Sequence, residues 1–299
     1  MTQEKCIAPP ISFQERAHIH SMAQYHTMYQ RSIQDPDGFW AEMAEPFHWH
    51  RPWTQVRSGD FHNDVQIRWF EGAQTNLCYN ALDHQIAQGH GEKVAILWEG
   101  NEPGEQTQYT YSQVLTEVCR IANVLKQQGV QKGDRVTLYM PMIPELAFAM
   151  LACARIGAIH NIVFGGFSAE SLSSRILDAR SNVLFTADGC MRGKKPIRLK
   201  QTADQAIAIC AEQGHEVRRV LVVNRTQGTL DCPMQEGRDL WWQDCRDAAS
   251  EECPPTWMDA EDPLFILYTS GSTGKPKGVL HTNAGYMVYA ATTFKYVFD

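Results

Sequence analysis

From about residue 75 onward, short apolar runs alternate with stretches whose apolar positions recur every three or four residues. Asn76 to Gln88 is amphipathic and reads as a helix, Lys93 to Trp98 as a strand, and Tyr109 to Tyr111 as a short strand. Ser112 then looks like an N-cap, because Val114, Leu115, Val118, Ile121, Ala122 and Leu125 follow at helical spacing and Gly129 stands where a helix closes. A strand is expected at Arg135 to Tyr139, and the rhythm repeats. Helices are expected at Glu145 to Arg155, Ser168 to Ala179 and Ala203 to Glu212, with strands at Asn161 to Phe164, Val183 to Thr186 and Arg219 to Val223. Asn224 to Gly237 has the composition of a loop, and Leu240, Trp241 and Trp242 read as the start of another helix. Leu264 to Tyr268 has the content of a buried strand, Gly278 to His281 should be extended, and Asn283 should cap a helix running to about Phe294. The last residues, Tyr296 to Asp299, are apolar and strand-like with nothing to pair with, which suggests a truncated chain. Strands and helices alternating at this spacing predict an α/β fold, with a mainly parallel sheet carrying helices on both faces.

The first 74 residues follow no period. Trp40, Trp49, Trp53 and Trp69 are interrupted by Pro36, Pro46 and Pro52, which predicts an aromatic-rich extension wrapping a larger body over residues 75–299. A loose tail fits Met1 to Pro10 but not the tryptophans.

Composition narrows the function classes. A length of 299 residues suits one to two domains, and a net charge of -7 argues against nucleic acid or an anionic membrane as partner. Anion sites must then be local loops. The nine cysteines form no Cys-x-x-Cys pair, and no signal segment precedes them, so the chain reads as belonging in a reducing cytoplasm. No stretch is apolar enough to span a bilayer. His48 and His50 are the best local metal pair, but no third ligand stands nearby, so packing is the expected role and no metal site is assigned.

Two segments carry chemistry. Tyr268 to Val279 reads Tyr-Thr-Ser-Gly-Ser-Thr-Gly-Lys-Pro-Lys-Gly-Val, placing Thr269, Ser270, Ser272 and Thr273 among Gly271 and Gly274, with Lys275 and Lys277 after them. Glycines let successive amides turn toward one anion, hydroxyls add donors, and the lysines add compact charge, so a polyphosphate is the natural ligand. It is not a Walker A loop: Pro276 follows Lys275 and forces the chain to leave extended. A variant P-loop phosphotransferase is disfavoured for the same reason. A surface turn between two strands is the plain alternative. The second segment, Arg192 to Lys200, holds five cations in nine residues of an acidic chain, at the end of the Val183 strand where ligands of open α/β sheets collect. Taken alone, such a run reads first as a solvated face.

Tyr268 to Gly278 resembles the signature loop of the acyl-adenylate-forming enzymes. Trp98 to Gly100, Tyr139 to Glu145, Ala152 to Ala158 and Phe164 to Ser168 resemble the AMP-forming acetyl-CoA synthetases, and the likeness runs from about Phe39 to the end. The resemblance implies a ligase that joins acetate to ATP as acetyl-AMP and passes the acetyl group to coenzyme A, with Mg²⁺ accompanying ATP. It implies that Thr269, Ser270, Gly271, Ser272, Thr273, Gly274, Lys275 and Lys277 hold the β and γ phosphates. It also implies that Arg192, Gly193, Lys194, Lys195 and Ile197 grip the 3'-phosphate end of coenzyme A, whose adenine approaches the backbone at Gly165 and Gly166. Two positions depart from the family pattern: Lys194 replaces a glycine and Lys195 an arginine, giving a point charge without a bidentate fork. From spacing alone, Gly165 and Gly166 suit a plain strand-to-helix turn equally well. The acyl pocket, magnesium ligands and catalytic lysine of that family fall beyond residue 299, so these residues alone are not expected to turn over. Acetate is not separable from propionate here, and a non-catalytic nucleotide-binding or coenzyme A-binding module remains open.

Overall fold

A computed structural model describes residues 8–62, 65–269, 274 and 276–299. Seven strands form the central sheet: β1 (Arg135–Met140), β2 (Ile159–Phe164), β3 (Val183–Ala187), β4 (Arg219–Val223), β5 (Asp239–Trp241), β6 (Pro263–Thr269) and β7 (Lys277–Thr282). Their spatial order is β5-β4-β3-β1-β2-β6-β7, parallel except for the antiparallel β6–β7 pair at one edge. The inner strands are apolar runs because both faces are covered; all five residues of β3 are buried.

Helices Pro144–Ile156 and Ala169–Ala179 make the first two crossovers. The chain steps from β1 to β2 on one side, then returns past β1 to β3, so two right-handed crossovers in opposite directions put these helices on opposite faces. Helix Tyr111–Gln127 packs against the first and helix Leu199–Glu212 against the second. Helix Tyr111–Gln127 leads into β1 through a Schellman turn. Gly129 takes φ 86, its amide donates to Lys126 O, and the Val130 amide donates to Leu125 O. No helix among the described residues is long and apolar enough to cross a membrane.

The N-terminal aromatics form a second, smaller core. Trp49, Trp53 and Phe70 meet with ring centroids 5.0–5.3 Å apart. Ala44, Phe70 and Ala73 then pack with Ala284, Met287 and Val288 of helix Asn283–Thr293, so the extension is held by the helix that follows β7. His48 and His50 pack on other rings, Tyr79 and Trp257. His50 stacks on Trp257 at 4.4 Å, and burial, then His84 and His50, hold the His48 imidazole below its ordinary pKa.

Several elements differ from expectation. The cap of helix Tyr111–Gln127 is Thr110, not Ser112: Thr110 and Gln113 form a reciprocal capping box, and the Ser112 hydroxyl instead donates to Gly91 O. Leu240 and Trp241 belong to β5, and helix begins only at Trp242. Cys190–Arg192 and Lys195–Ile197 form a hairpin rather than a loop. The helix behind it starts at Leu199, ahead of Ala203. Asn283 does not cap its helix. It is buried, accepts from the Leu77 amide and donates to Thr75 O, tethering the helix to the extension's end. Phe294–Phe298 is a π-helical turn, not strand-like.

Candidate functional site

The sheet order reverses at β1, whose neighbours β2 and β3 are reached in opposite directions. A crevice therefore opens at the carboxyl ends of the strands, because the loops after β1 and β3 diverge to opposite faces. A cavity of about 610 Å³ lies there. Pro141 to Ile143 after β1, Phe164 and Gly165 after β2, Cys190 to Arg192 with Ile197 after β3, and Arg225 to Gln227 with Thr229 and Leu230 after β4 form most of its lining. The hairpin of Val94–Glu99 and Gln106–Thr110 closes it through Trp98 and Glu105.

The glycine turn is fixed from below. Tyr139, buried within β1, donates its hydroxyl to Phe167 O at 2.8 Å and accepts from the Gly166 amide at 3.3 Å. Burial pushes that phenol above its ordinary pKa, which keeps the proton available for donation. A Cβ at Gly165 would stand 2.6 Å from Met140 O, so only glycine lets the β2 turn pass so close to the β1 backbone. Gly166 has φ 117 and open space where a side chain would be.

The basic run turns on Gly193, at φ 58, between the paired residues Arg192 and Lys195. Arg192, Gly193, Lys194 and Lys195 are exposed, and Ile197 is half-buried. Among the described residues none of these three cations has a carboxylate partner. Arg192, Ile197 and Gly165 line the cavity, while Gly166, Gly193, Lys194 and Lys195 belong to the turn and hairpin that carry them.

The opposite wall contains residues to which the sequence assigned no role. Arg225 pairs with Glu105 and lies over the Trp98 ring at 5.3 Å, while the Trp98 indole donates to Met142 O at 2.7 Å. The hydrogen bond from Arg225 holds the Glu105 carboxyl below the usual carboxylate range. Trp98 could be found only as part of a family-like segment, because its partners Met142 and Arg225 come from distant parts of the chain.

The expected phosphate loop falls between β6 and β7, at the same carboxyl edge as the cavity. Ser270, Gly271, Ser272, Thr273 and Lys275 lie outside the described residues. Thr269 and Lys277 are exposed and face each other as the last register pair of the β6–β7 hairpin, and Gly274 takes φ 81. Tyr268 beside them is anchored: its hydroxyl donates to Asp178 at 2.5 Å, and Arg175 sits between its ring, at 5.3 Å, and that of Phe167, at 5.0 Å. One guanidinium thus touches both the glycine-turn segment and the strand that leads into the expected phosphate loop. Among the described residues no three His, Cys, Asp or Glu side chains are placed to hold a metal ion.

Residues 82–299 match the model of the AMP-binding enzymes, and residues 25–81 match that of the acetyl-coenzyme A synthetase N-terminus. Acetyl-coenzyme A synthetase of Syntrophobacter fumaroxidans is 54% identical over 92% of this chain and 41% of its own length. That of Rhizobium meliloti is 55% identical over 93% and 42%. The Drosophila melanogaster enzyme is 49% identical over 100% of this chain and 47% of its own. The chain therefore spans less than half the length of these relatives. With the open crevice at the sheet's reversal, these matches establish that the chain belongs to the AMP-binding enzyme family.

Proposed function

We propose that this chain carries the coenzyme A-binding face and the oligophosphate loop of an AMP-forming acetate–CoA ligase. In that reaction the acetate carboxylate attacks the α phosphate of ATP, pyrophosphate leaves, and the coenzyme A thiol then takes the acetyl group. The observation that carries the reading is the set of exposed cations on the Cys190–Ile197 hairpin, which meet no carboxylate among the described residues, at the rim of a cavity at the sheet's reversal. Such a rim suits a phosphorylated nucleotide, since each hydrogen bond between charged partners contributes about 1.5–3 kcal/mol.

In this reading Arg192 and Lys195 hold the 3'-phosphate of coenzyme A, Gly193 and Lys194 shape the turn between them, and Ile197 packs beside the base. Gly165 and Gly166 leave the backbone open to the adenine. Thr269 to Gly274, with Lys275 and Lys277, hold the β and γ phosphates by positioning and charge rather than by covalent chemistry. Mg²⁺ arrives with ATP as part of that substrate. Residues 1–74 act as an extension buttressing a body formed by 75–299. Free thiols at all eight described cysteines support a cytoplasmic setting.

The test is calorimetry of the chain with coenzyme A and with ATP, alongside acetate-dependent pyrophosphate release. Binding of both ligands without turnover supports the reading. Binding of neither overturns it.

A further inference from the structure

Asp188 directly follows β3 and is 2% exposed, yet among the described residues it faces no cation. Four donors from two loops take the place of one. Oδ1 accepts from the amides of Gly189 at 2.7 Å, Arg225 at 3.0 Å and Thr226 at 3.2 Å. Oδ2 accepts from the Thr226 amide at 3.1 Å and the Thr226 hydroxyl at 2.5 Å. The main chain of Asp188 adds two ties: its amide donates to Val223 O at 3.0 Å, and its carbonyl accepts from the Lys200 amide at 3.3 Å. Every segment leaving β3 and β4 on the cavity side is therefore fastened to this residue.

A carboxylate removed from water without an opposite charge is costly unless its lone pairs are filled, and here donors fill both oxygens. What this arrangement secures is geometry. The Thr226 hydroxyl passes the restraint on by accepting from the Leu230 amide at 3.3 Å. Fixing the Arg225 backbone delivers its guanidinium over Trp98 and onto Glu105. The two walls then close over Gly189, where a Cβ would lie 2.5 Å from Leu230 Cδ1 and 2.6 Å from Ile197 O.

We propose that Asp188 is the positioning residue of this cavity, its carboxylate setting the spacing between the hairpin that carries Arg192 and Lys195 and the opposing loop of Arg225 and Thr226. Its consequence for ligand binding rests on the reading of the cavity as the coenzyme A site. Replacing one carboxylate oxygen by an amide in Asp188→Asn turns an acceptor into a donor facing other donors, at nearly constant volume.

The test is amide hydrogen exchange of the whole chain, wild type against D188N, with coenzyme A titrated calorimetrically onto both. Exchange in residues 189–198 and 224–230 should rise about tenfold, while β3 and β4 stay within about twofold. Coenzyme A affinity should fall about tenfold with them, an effect that a purely structural role, loosening the strands as well, would not isolate. Should D188N not fold, Thr226→Val decides: faster exchange confined to 224–230 supports the proposal, and unchanged exchange overturns it. Loops that keep wild-type exchange in D188N also overturn it, as does undiminished coenzyme A affinity once they have loosened. If wild type binds no coenzyme A while the D188N loops loosen, the positioning role stands and the reading of the cavity falls.

Discussion

The two ends of the basic run Arg192–Lys200 have opposite fates. Arg192, Lys194 and Lys195 are exposed on a hairpin and meet no carboxylate among the described residues. Lys200, at the start of helix Leu199–Glu212, is 1% exposed and saturated: its ammonium reaches Asp204 and Asp239 at 2.8 Å each and Pro233 O at 3.2 Å. Arg238 bridges the same two carboxylates. This buried network locks helix Leu199–Glu212 to β5 at the sheet edge, and the hairpin is mounted directly on that helix. Cations that find carboxylates in the fold hold it together, and those left without partners are available to an anion.

The contrast breaks most visibly at Lys200. Lys200→Met should cost about 3–5 kcal/mol in denaturant unfolding, because it leaves buried carboxylates undercompensated. Arg192→Ala or Lys195→Ala should stay within about 0.5 kcal/mol of wild type in the same measurement. Coenzyme A binding should reverse the ranking, with each of those two variants expected to lose about 1.5–3 kcal/mol of affinity by calorimetry. Acid gives a smaller effect at the structural end alone. Burial by itself would raise the Asp239 pKa, but hydrogen bonds from Arg238 and Lys200 outweigh it and hold the carboxyl below its ordinary range. A depressed folded value means stability that is present above the unfolded value, about 3.9, and lost as pH falls below it. Unfolding followed from pH 6 to pH 2 should show that loss in wild type and a shallower one in Asp239→Asn. Smallest is Glu105→Gln, whose half-exposed pair with Arg225 should contribute less than about 1 kcal/mol to stability.

The sheet was legible because strands covered on both faces are continuous apolar runs, and because crossover helices keep their 3.6-residue period. Short elements were not. The three residues of β5 are too few to display a period, and two tryptophans there mimic a helix start. The Thr110 cap was written in the sequence as Thr-x-x-Gln, but the hydroxyl at Ser112 competed for it. Of the candidate site, Gly165, Arg192 and Ile197, singled out through the family resemblance, line the cavity. Asp188 and the Lys200 network could not be found this way, since Arg225 and Thr226 for the one, and Asp239 and Pro233 for the other, stand more than thirty residues away in sequence and are brought close only by the pairing of β3, β4 and β5. The phosphate loop was the plainest signal in the sequence, yet most of it lies outside the described residues.

The most direct measurement compares coenzyme A with dephospho-coenzyme A, which lacks only the 3'-phosphate, in calorimetric titration of this chain. Exposed cations at the cavity rim predict that dephospho-coenzyme A binds about tenfold more weakly or worse, and that Arg192→Ala with Lys195→Ala abolishes the difference. Equal affinities for the two ligands in the wild-type chain would contradict the account.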